Sequence, residues 1–440
     1  MKPNLRLLFL VLVLAAPLGA ASMFRGDAAH GGTYASAPLR SLHGMKWSFA
    51  TGGPIVGSAT VWDGCLYVGS DDRRLYALDP ATGTKRWSFT ADGPVRSTPA
   101  VDHTGVYFLS YDGLFHALDP KSGAPRWTFK TGGERHFEAR GLHGMHPATQ
   151  TIPDVWDMYS SSATLADGLV FFGCGDGCVY ALREADGSVA WRFQTGDVVH
   201  ASPAVADGLV VVGSWDSMLY ALDERTGAVR WKFKTGEDPV NHNQVGFQSS
   251  PTIVNGTVYV GCRDAHVYAV DLKTGTQRWT YSTKGSWVIG TPVVHDGAVW
   301  VGTSDTGQLM ALDARTGALL HSLDMKIYTF SSVAVAGEFG YVGTFDGRLH
   351  AVDLASAREV WNFQTDAGRA DRGHVLGADG RQLPTLFQVD SDPTAPPFQY
   401  EWMGRIFDRL YELGSFVSSP VVSDGVVYAG SADGRVYALE

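Results

Sequence analysis

A chain of 440 residues would ordinarily divide into two or three domains, unless it is one repeat array. Its 52 glycines, 12% aromatic residues and only 18% charged residues suit many short strands joined by tight turns, and exclude a disordered chain. The acidic balance, a net charge of −10, argues against a nucleic-acid or anionic-lipid surface.

The first residues read as an export signal. Lys2 and Arg6 form a positive start, Leu7 to Leu14 an apolar run, and Gly19-Ala20-Ala21 a small-residue cleavage site. The run is too short for a membrane span, which needs roughly 20 residues. Residues 1–21 are therefore expected to leave, with the mature chain starting near Ser22 or one residue earlier. No cysteine follows the apolar run, so no lipid attachment is expected. The expected location is periplasmic or secreted, with neither a membrane span nor a lipid anchor.

From there the chain repeats. One unit runs from Ser202 to Gly236 as four short strands. Strand A is Ser-Pro-Ala-Val and strand B, after an Asp-Gly turn, Leu-Val-Val-Val-Gly. Strand C is Leu-Tyr-Ala-Leu-Asp, and strand D, after Thr226-Gly227, is Val-Arg-Trp-Lys-Phe. The strand-D tryptophan recurs as Trp47, Trp87, Trp127, Trp191, Trp231, Trp279 and Trp361, with His321 in the remaining slot. Strand C recurs around Tyr76, His116, Tyr180, Tyr220, Tyr268, Met310, His350 and Tyr437. The first strand D, Trp47-Ser48-Phe49, precedes any strand C, and the last strand C, ending at Glu440, has no strand D after it. Together they complete one blade. The expectation is an all-β, eight-bladed propeller of four-stranded antiparallel blades over residues 22–440, closed by the N-terminal strand, which removes free sheet edges.

The segment Ala-x-Asp-x-x-Thr-Gly-x-x-x-Trp appears at Ala77 to Trp87, Ala221 to Trp231 and Ala269 to Trp279. It resembles the tryptophan-docking motif of the pyrroloquinoline-quinone (PQQ) enzyme-like propellers, shared by PQQ-dependent dehydrogenases and BamB-type accessory proteins. The resemblance implies the fold. It does not choose between those functions, because the motif is scaffold in both.

Four cysteines in an exported chain invite a disulfide. Cys174 and Cys178 flank the tight turn Gly175-Asp176-Gly177, so a bridge across the hairpin is expected. Cys65 and Cys262 fall in distant blades and are expected to stay unpaired.

The chain departs from its own repeat at three insertions, 134–159, 237–247 and 367–414, each between strand D of one blade and strand A of the next. That connection shares a face with the B–C turns, so one face is elaborated, and loops on a rigid scaffold are where sites gather. On this face Trp215-Asp216, Arg263-Asp264 and Asp305 sit in B–C turns, and His200, Gln248 and Trp287 at strand-A starts. Asn243 and Gln244 lie in the second insertion. These ten residues are expected to surround one cavity at the channel mouth, offering aromatic surface, amides, a guanidinium and carboxylates to a polar ligand. Each has a plainer reading: tryptophans packing under insertions, Arg263 pairing locally with Asp264, aspartates holding their own turns. His136, His143 and His146 of the first insertion read as loop-ordering residues rather than metal ligands. A short helix is expected at Trp402–Leu413, with Ile406, Leu410 and Leu413 on one stripe.

Three functions follow. The favoured one is a propeller that binds a small polar ligand or an envelope protein partner, without chemistry of its own. A quinoprotein dehydrogenase is the second: PQQ would stack on Trp287 or Trp215 with Arg263 at its acidic edge, and Ca²⁺ beside it. No motif assigns a calcium set or catalytic residues, and adjacent cysteines are absent. A BamB-like assembly role is the third, weakened by the missing lipid attachment and the large insertions.

Overall fold

The computed structural model describes residues 22–144, 148–236, 245–388 and 400–440, so the signal segment lies outside the described residues. Eight four-stranded antiparallel sheets form an eight-bladed propeller. Blades 1 to 7 are continuous, from Thr60–Trp62 through Lys85–Thr90 in blade 1 to Ala334–Ala336 through Arg358–Gln364 in blade 7. Blade 8 takes its inner three strands from Val421–Ser423, Val426–Gly430 and Arg435–Leu439, and its outer strand from Met45–Ala50. The register is Trp47 opposite Ala438, Ser48 opposite Tyr437 and Phe49 opposite Val436. Closure is as the repeat count requires.

Neighbouring blades are joined at two radii. Near the rim, each strand-D indole crosses to the C–D turn of the next blade. Trp191 Nε1 donates to Glu224 O at 2.8 Å and Trp231 Nε1 to Leu272 O at 2.8 Å. Blade 8 has no C–D turn, and there Trp361 Nε1 donates instead to Leu39 O at 2.9 Å, so the lead-in to the first strand replaces the missing turn.

The indole also explains the turn glycine. Gly227 has φ +70°, and a Cβ there would come within 2.7 Å of the Trp191 ring. Gly83, Gly275 and Gly317 meet Trp47, Trp231 and Trp279 at the same 2.7 Å. Only blade 7 places a side chain at this position, Ala357 with φ 52°, and the blade before it carries His321 instead of tryptophan. Removing the ring removes the steric demand; the positive φ remains. Gly227→Ala should therefore destabilise by more than the ~1 kcal/mol of a φ-strained alanine, while Ala357→Gly should be neutral or stabilising. Denaturant midpoints of the two variants check this, and equal shifts would refute it.

Near the axis, one hydroxyl per blade forms a ring: Ser58, Thr98, Ser162, Ser202, Ser250, Thr291, Ser332 and Ser419. The backbone N–H of each of seven donates to the hydroxyl of the next blade's member at 2.8–3.0 Å. A small side chain that accepts from a neighbour's backbone is what eight converging strands leave room for.

Ahead of the first strand, residues 22–36 cross the face of the propeller that carries the A–B turns. Ser22 exchanges backbone bonds with Val101 of blade 2 at 2.7–2.8 Å, and Ala28 and Ala29 carbonyls accept from Val205 and Ile253 of blades 4 and 5. Tyr34 N then reaches Val335 O of blade 7. This segment plugs the channel from that side.

The expected disulfide does not form. All four cysteines are free thiols. Cys174 and Cys178 do face each other across the turn, through Cys174 N–H to Cys178 O at 3.1 Å. Their sulfurs turn to different neighbours: Cys174 Sγ to Gly133 O at 3.6 Å, and Cys178 Sγ to Gln194 Oε1 at 3.1 Å. Packing against the preceding insertion and the outer strand wins over bridging. Burial pushes both thiols up in pKa, so neither is primed to react.

Candidate functional site

The elaborated face is closed. The first insertion folds back over the channel as a short hairpin, Glu138–Arg140 against Thr151–Pro153, and the third lays the helix Tyr400–Tyr411 beside it. Ile406, Leu410 and Leu413 are buried on one stripe, as the spacing requires, packed with Val375, Tyr328 and Phe345. Trp156, Phe137 and Met158 of the first insertion join the same apolar cluster, which takes in Val56, Val198, Ile289 and Val417 from the strand-A starts around the ring. Apolar side chains from the two insertions therefore meet over the axis and fill the mouth.

At its centre lies Arg263, fully buried in the B–C turn of blade 5. Its guanidinium lies 3.8 Å from the ring centre of Trp287 and 4.6 Å from that of Trp215. Trp215 is itself stacked on Phe137 at 4.6 Å. Arg263 Nη1 donates to Asp154 Oδ2 at 2.6 Å, and His143 Nε2 lies 3.2 Å from Asp154 Oδ1. Burial works against the Asp154 carboxylate, yet Arg263 and His143 hold it below the usual range. The local pairing expected with Asp264 is replaced by a pair spanning 109 positions.

A second buried tether sits beside it. His200 is sealed between two carboxylates of the first insertion, with Nδ1 2.7 Å from Asp157 Oδ1 and Nε2 3.0 Å from Glu134 Oε2. Burial disfavours its charge, but Asp157 and Glu134 outweigh that and raise the imidazole to about 10. The folded value lies above the free one. Its contribution is thus full below pH ~6.5 and fades as pH rises through about 10. Amide-exchange protection of residues 137–157 should fall across that window, and His200→Gln should abolish the dependence. An unchanged pH slope in the variant would rule the tether out.

The remaining expected residues divide. Gln248 joins the site through Nε2 to Trp156 O at 2.6 Å. Asp216 and Asp264 belong to the scaffold: each accepts from its strand-C tyrosine, Tyr220 or Tyr268, at 2.5 Å and from the backbone of Gly196 or Gly236. Asp305 is exposed, its Oδ2 accepting from Ser304 Oγ. Asn243, Gln244 and His146 lie outside the described residues. His136 and His143 face separate partners, Asp157 O and Asp154. The sequence reading missed Glu134, Asp154 and Asp157, the insertion's own counter-charges. Their only signal was that the insertion carries four acids, Glu134, Glu138, Asp154 and Asp157, on the same face as a conspicuous His and Arg.

Beneath the cap, between it and the N-terminal plug, the channel keeps a cavity of ≈ 40 Å³, lined by the hydroxyl ring with Phe24, Arg96, Ser160, His200 and Gln248. That is room for on the order of two or three waters, against roughly 300 Å³ or more for a small-molecule pocket. The residues do not fit a stacked PQQ. Phe137 and Arg263 already lie against Trp215, Arg263 covers Trp287, and the guanidinium is committed to Asp154. Among the described residues no three His, Cys, Asp or Glu gather as a cation site.

The family profile described as outer membrane protein assembly factor BamB matches residues 27–145 and 148–363. The chain belongs to this family. In three dimensions it is similar to BamB from Moraxella catarrhalis, with TM-score 0.63 and 16% identity over 90% of this chain and 99% of that one. It is as similar to a europium-containing methanol dehydrogenase, with TM-score 0.66 and 14% identity over 95% and 97%. At such identities the likeness is one of fold. In sequence it resembles the dehydrogenase subunit of the alcohol dehydrogenase (quinone) of Gluconobacter oxydans (strain 621H), 34% identical over 96 residues. That match covers 19% of this chain and only 12% of the relative's length, the scale of two blades. No helix among the described residues is long and apolar enough to cross a membrane.

Proposed function

We propose that this protein is an exported binding scaffold of the cell envelope, without chemistry of its own, that engages a protein partner on its insertion-bearing face. The carrying observation is the Arg263–Asp154 pair locked against Trp215 and Trp287, which commits the chain's own side chains where a ligand was expected. The face becomes a built surface. Two open grooves flank the third insertion. One, of ≈ 810 Å³, runs between blades 7 and 8 and carries exposed Met45 with Asp366, Arg369, Arg372, Glu412 and Arg435. The other, of ≈ 560 Å³, lies by blades 6 and 7 with Asp324, Lys326, Arg348 and Asp379. Charges of both signs beside apolar surface suit a polypeptide. The family's description as an assembly factor supports the same reading.

Photocrosslinkers placed at Arg372 and Lys326, and at Asp207 in an A–B turn as control, test it in cells. Capture of one envelope protein from the first two positions alone is expected; equal or absent capture would count against it. The quinoprotein reading is favoured by the names of the matched sequence relatives. It predicts saturable PQQ binding with Ca²⁺, cofactor absorbance and dye reduction, and any of these would overturn the scaffold reading.

A further inference from the structure

The outer strand of blade 6 departs from the other seven. Each of those carries a lysine or arginine; Leu319–Asp324, with the sequence Leu-Leu-His-Ser-Leu-Asp, carries none. A cation on an edge strand is a common guard against a foreign strand adding to its open backbone groups. Here Leu319 and Leu320 are each 46% exposed, and His321 and Ser322 after them are exposed as well. The strand is free to differ because the seam is filled from within. Trp300 of strand B, fully buried, packs in one cluster with Leu354 and Ala357 of blade 7.

The departure removes half of an ion pair. In the repeat, the aspartate at the end of strand C pairs with a cation seven residues on, at the bulge of strand D. Asp79 meets Arg86 at 2.8 Å, and Asp223 and Asp271 meet Arg230 and Arg278 at 2.7 Å. Blade 8 makes the same pair between its two segments, Lys46 with Glu440, and blade 2 carries the same residue types, Asp119 and Arg126. Blade 3 has lost both partners, with Arg183 and Ala190 at the two positions. Blade 6 keeps the acid and loses the cation, Asp313 standing seven before Leu320. Blade 7 repeats this with Asp353 and Val360, the latter 47% exposed. Asp313 accepts through Oδ1 alone, from Arg315 N–H and from Thr316, and has no ion-pair partner among the described residues. The Arg315 side chain is no substitute, since Arg225 and Lys273 hold the same turn position in blades whose pair is intact. The Thr316 bonds hold the Asp313 carboxyl below its usual range, so it stays charged.

Exposed leucines, open backbone groups and an unanswered carboxylate are complementary to one kind of occupant. A second copy would bring the same leucines and acid and no cation, and an anionic lipid surface would be repelled by Asp313 and Asp353. We propose that the outer edge of blade 6 docks an extended segment of a partner protein, with apolar side chains against Leu319 and Leu320 and an arginine or lysine on Asp313. The partner supplies in trans the cation that blades 1, 4 and 5 supply in cis. The leucines lie at the C–D-turn end of the rim, away from the insertion-bearing face, so this is a contact surface beyond the one proposed above.

A photocrosslinker at Ser322 of the full chain in cells provides the test, with Ser88, its counterpart in blade 1, as control. A mapped crosslink is expected from Ser322 and none from Ser88, to an apolar segment with an arginine or lysine beside the point of attachment. Leu320→Arg, which rebuilds the pair of blades 1, 4 and 5, should abolish that crosslink and leave the thermal midpoint at or above wild type. Crosslinking from Arg372 should be unaffected, so that loss at the rim is told apart from loss at the insertion-bearing face. Asp313→Asn should lower the Ser322 yield several-fold. Equal crosslinking from Ser88, or none from Ser322, would overturn the proposal. So would attachment to a second copy of this chain or to lipid, a captured segment without a cation, or a crosslink that survives Leu320→Arg. Should Leu320→Arg not fold, Asp313→Asn decides, and an unchanged yield there would sink the idea.

Discussion

Replacing Arg263 with alanine is expected to destabilise the protein by about 3–5 kcal/mol, because it strands Asp154 in a dry interior and unstacks Trp215 and Trp287. As a ligand contact in an open pocket its loss would instead weaken binding by about 1.5–3 kcal/mol and spare folding. Its burial reverses the expectation. Asp154→Ala should cost a similar amount, and the double variant much less than the sum, because removing both charges leaves none unpaired. Denaturant unfolding measures the totals, and amide exchange over 137–158 shows whether the first insertion lifts first. An Arg263→Ala protein within about 0.5 kcal/mol of wild type would mean that the pair holds nothing.

Deleting residues up to Ala50 is expected to abolish cooperative unfolding altogether. The loss of Trp47 alone is that of a large buried aromatic, about 3–5 kcal/mol, and the deletion also bares the Arg435–Leu439 edge for pairing with other chains. Light scattering and the shape of the thermal transition read the result. Appending residues 44–50 after Glu440 through a short turn should restore the ring, since His43 and Gly44 N–H already bond the Glu440 carbonyl at 2.7 and 3.1 Å. A soluble, sharply melting truncation would refute the closing role.

The fold was legible because each blade states its own boundaries: the aspartate–glycine turns, the strand-D indole and the glycine beneath it recur with a period of about 40. Closure was legible from the two unmatched fragments at the ends. The site was legible only as a list of departures. His200, Trp215, Gln248, Arg263 and Trp287 do come together, because strand-A starts and B–C turns open on one face. What fills the space between them was not readable. An insertion that lines a pocket and one that plugs it have the same composition, and the decision rests on Glu134, Asp154 and Asp157, whose partners lie up to 109 positions away. The plug was missed for a related reason. Residues 22–44 carry no strand pattern of their own and take their structure from the ring they cross.

The closing blade bears on synthesis. Phe49 must wait for Val436, so the outer strand of blade 8 pairs with a strand made long after it, and no earlier moment of elongation can satisfy it. Such distant pairing delays closure until residues 435–439 are present, and an open ring is exposed to mispairing in the meantime. A product cut short by even its last half-dozen residues lacks the Arg435–Leu439 strand, leaving Met45–Ala50 with nothing to join and an open edge for proteases to find. Ring closure thereby acts as a check on elongation, passed only by chains that have reached the Arg435–Leu439 strand.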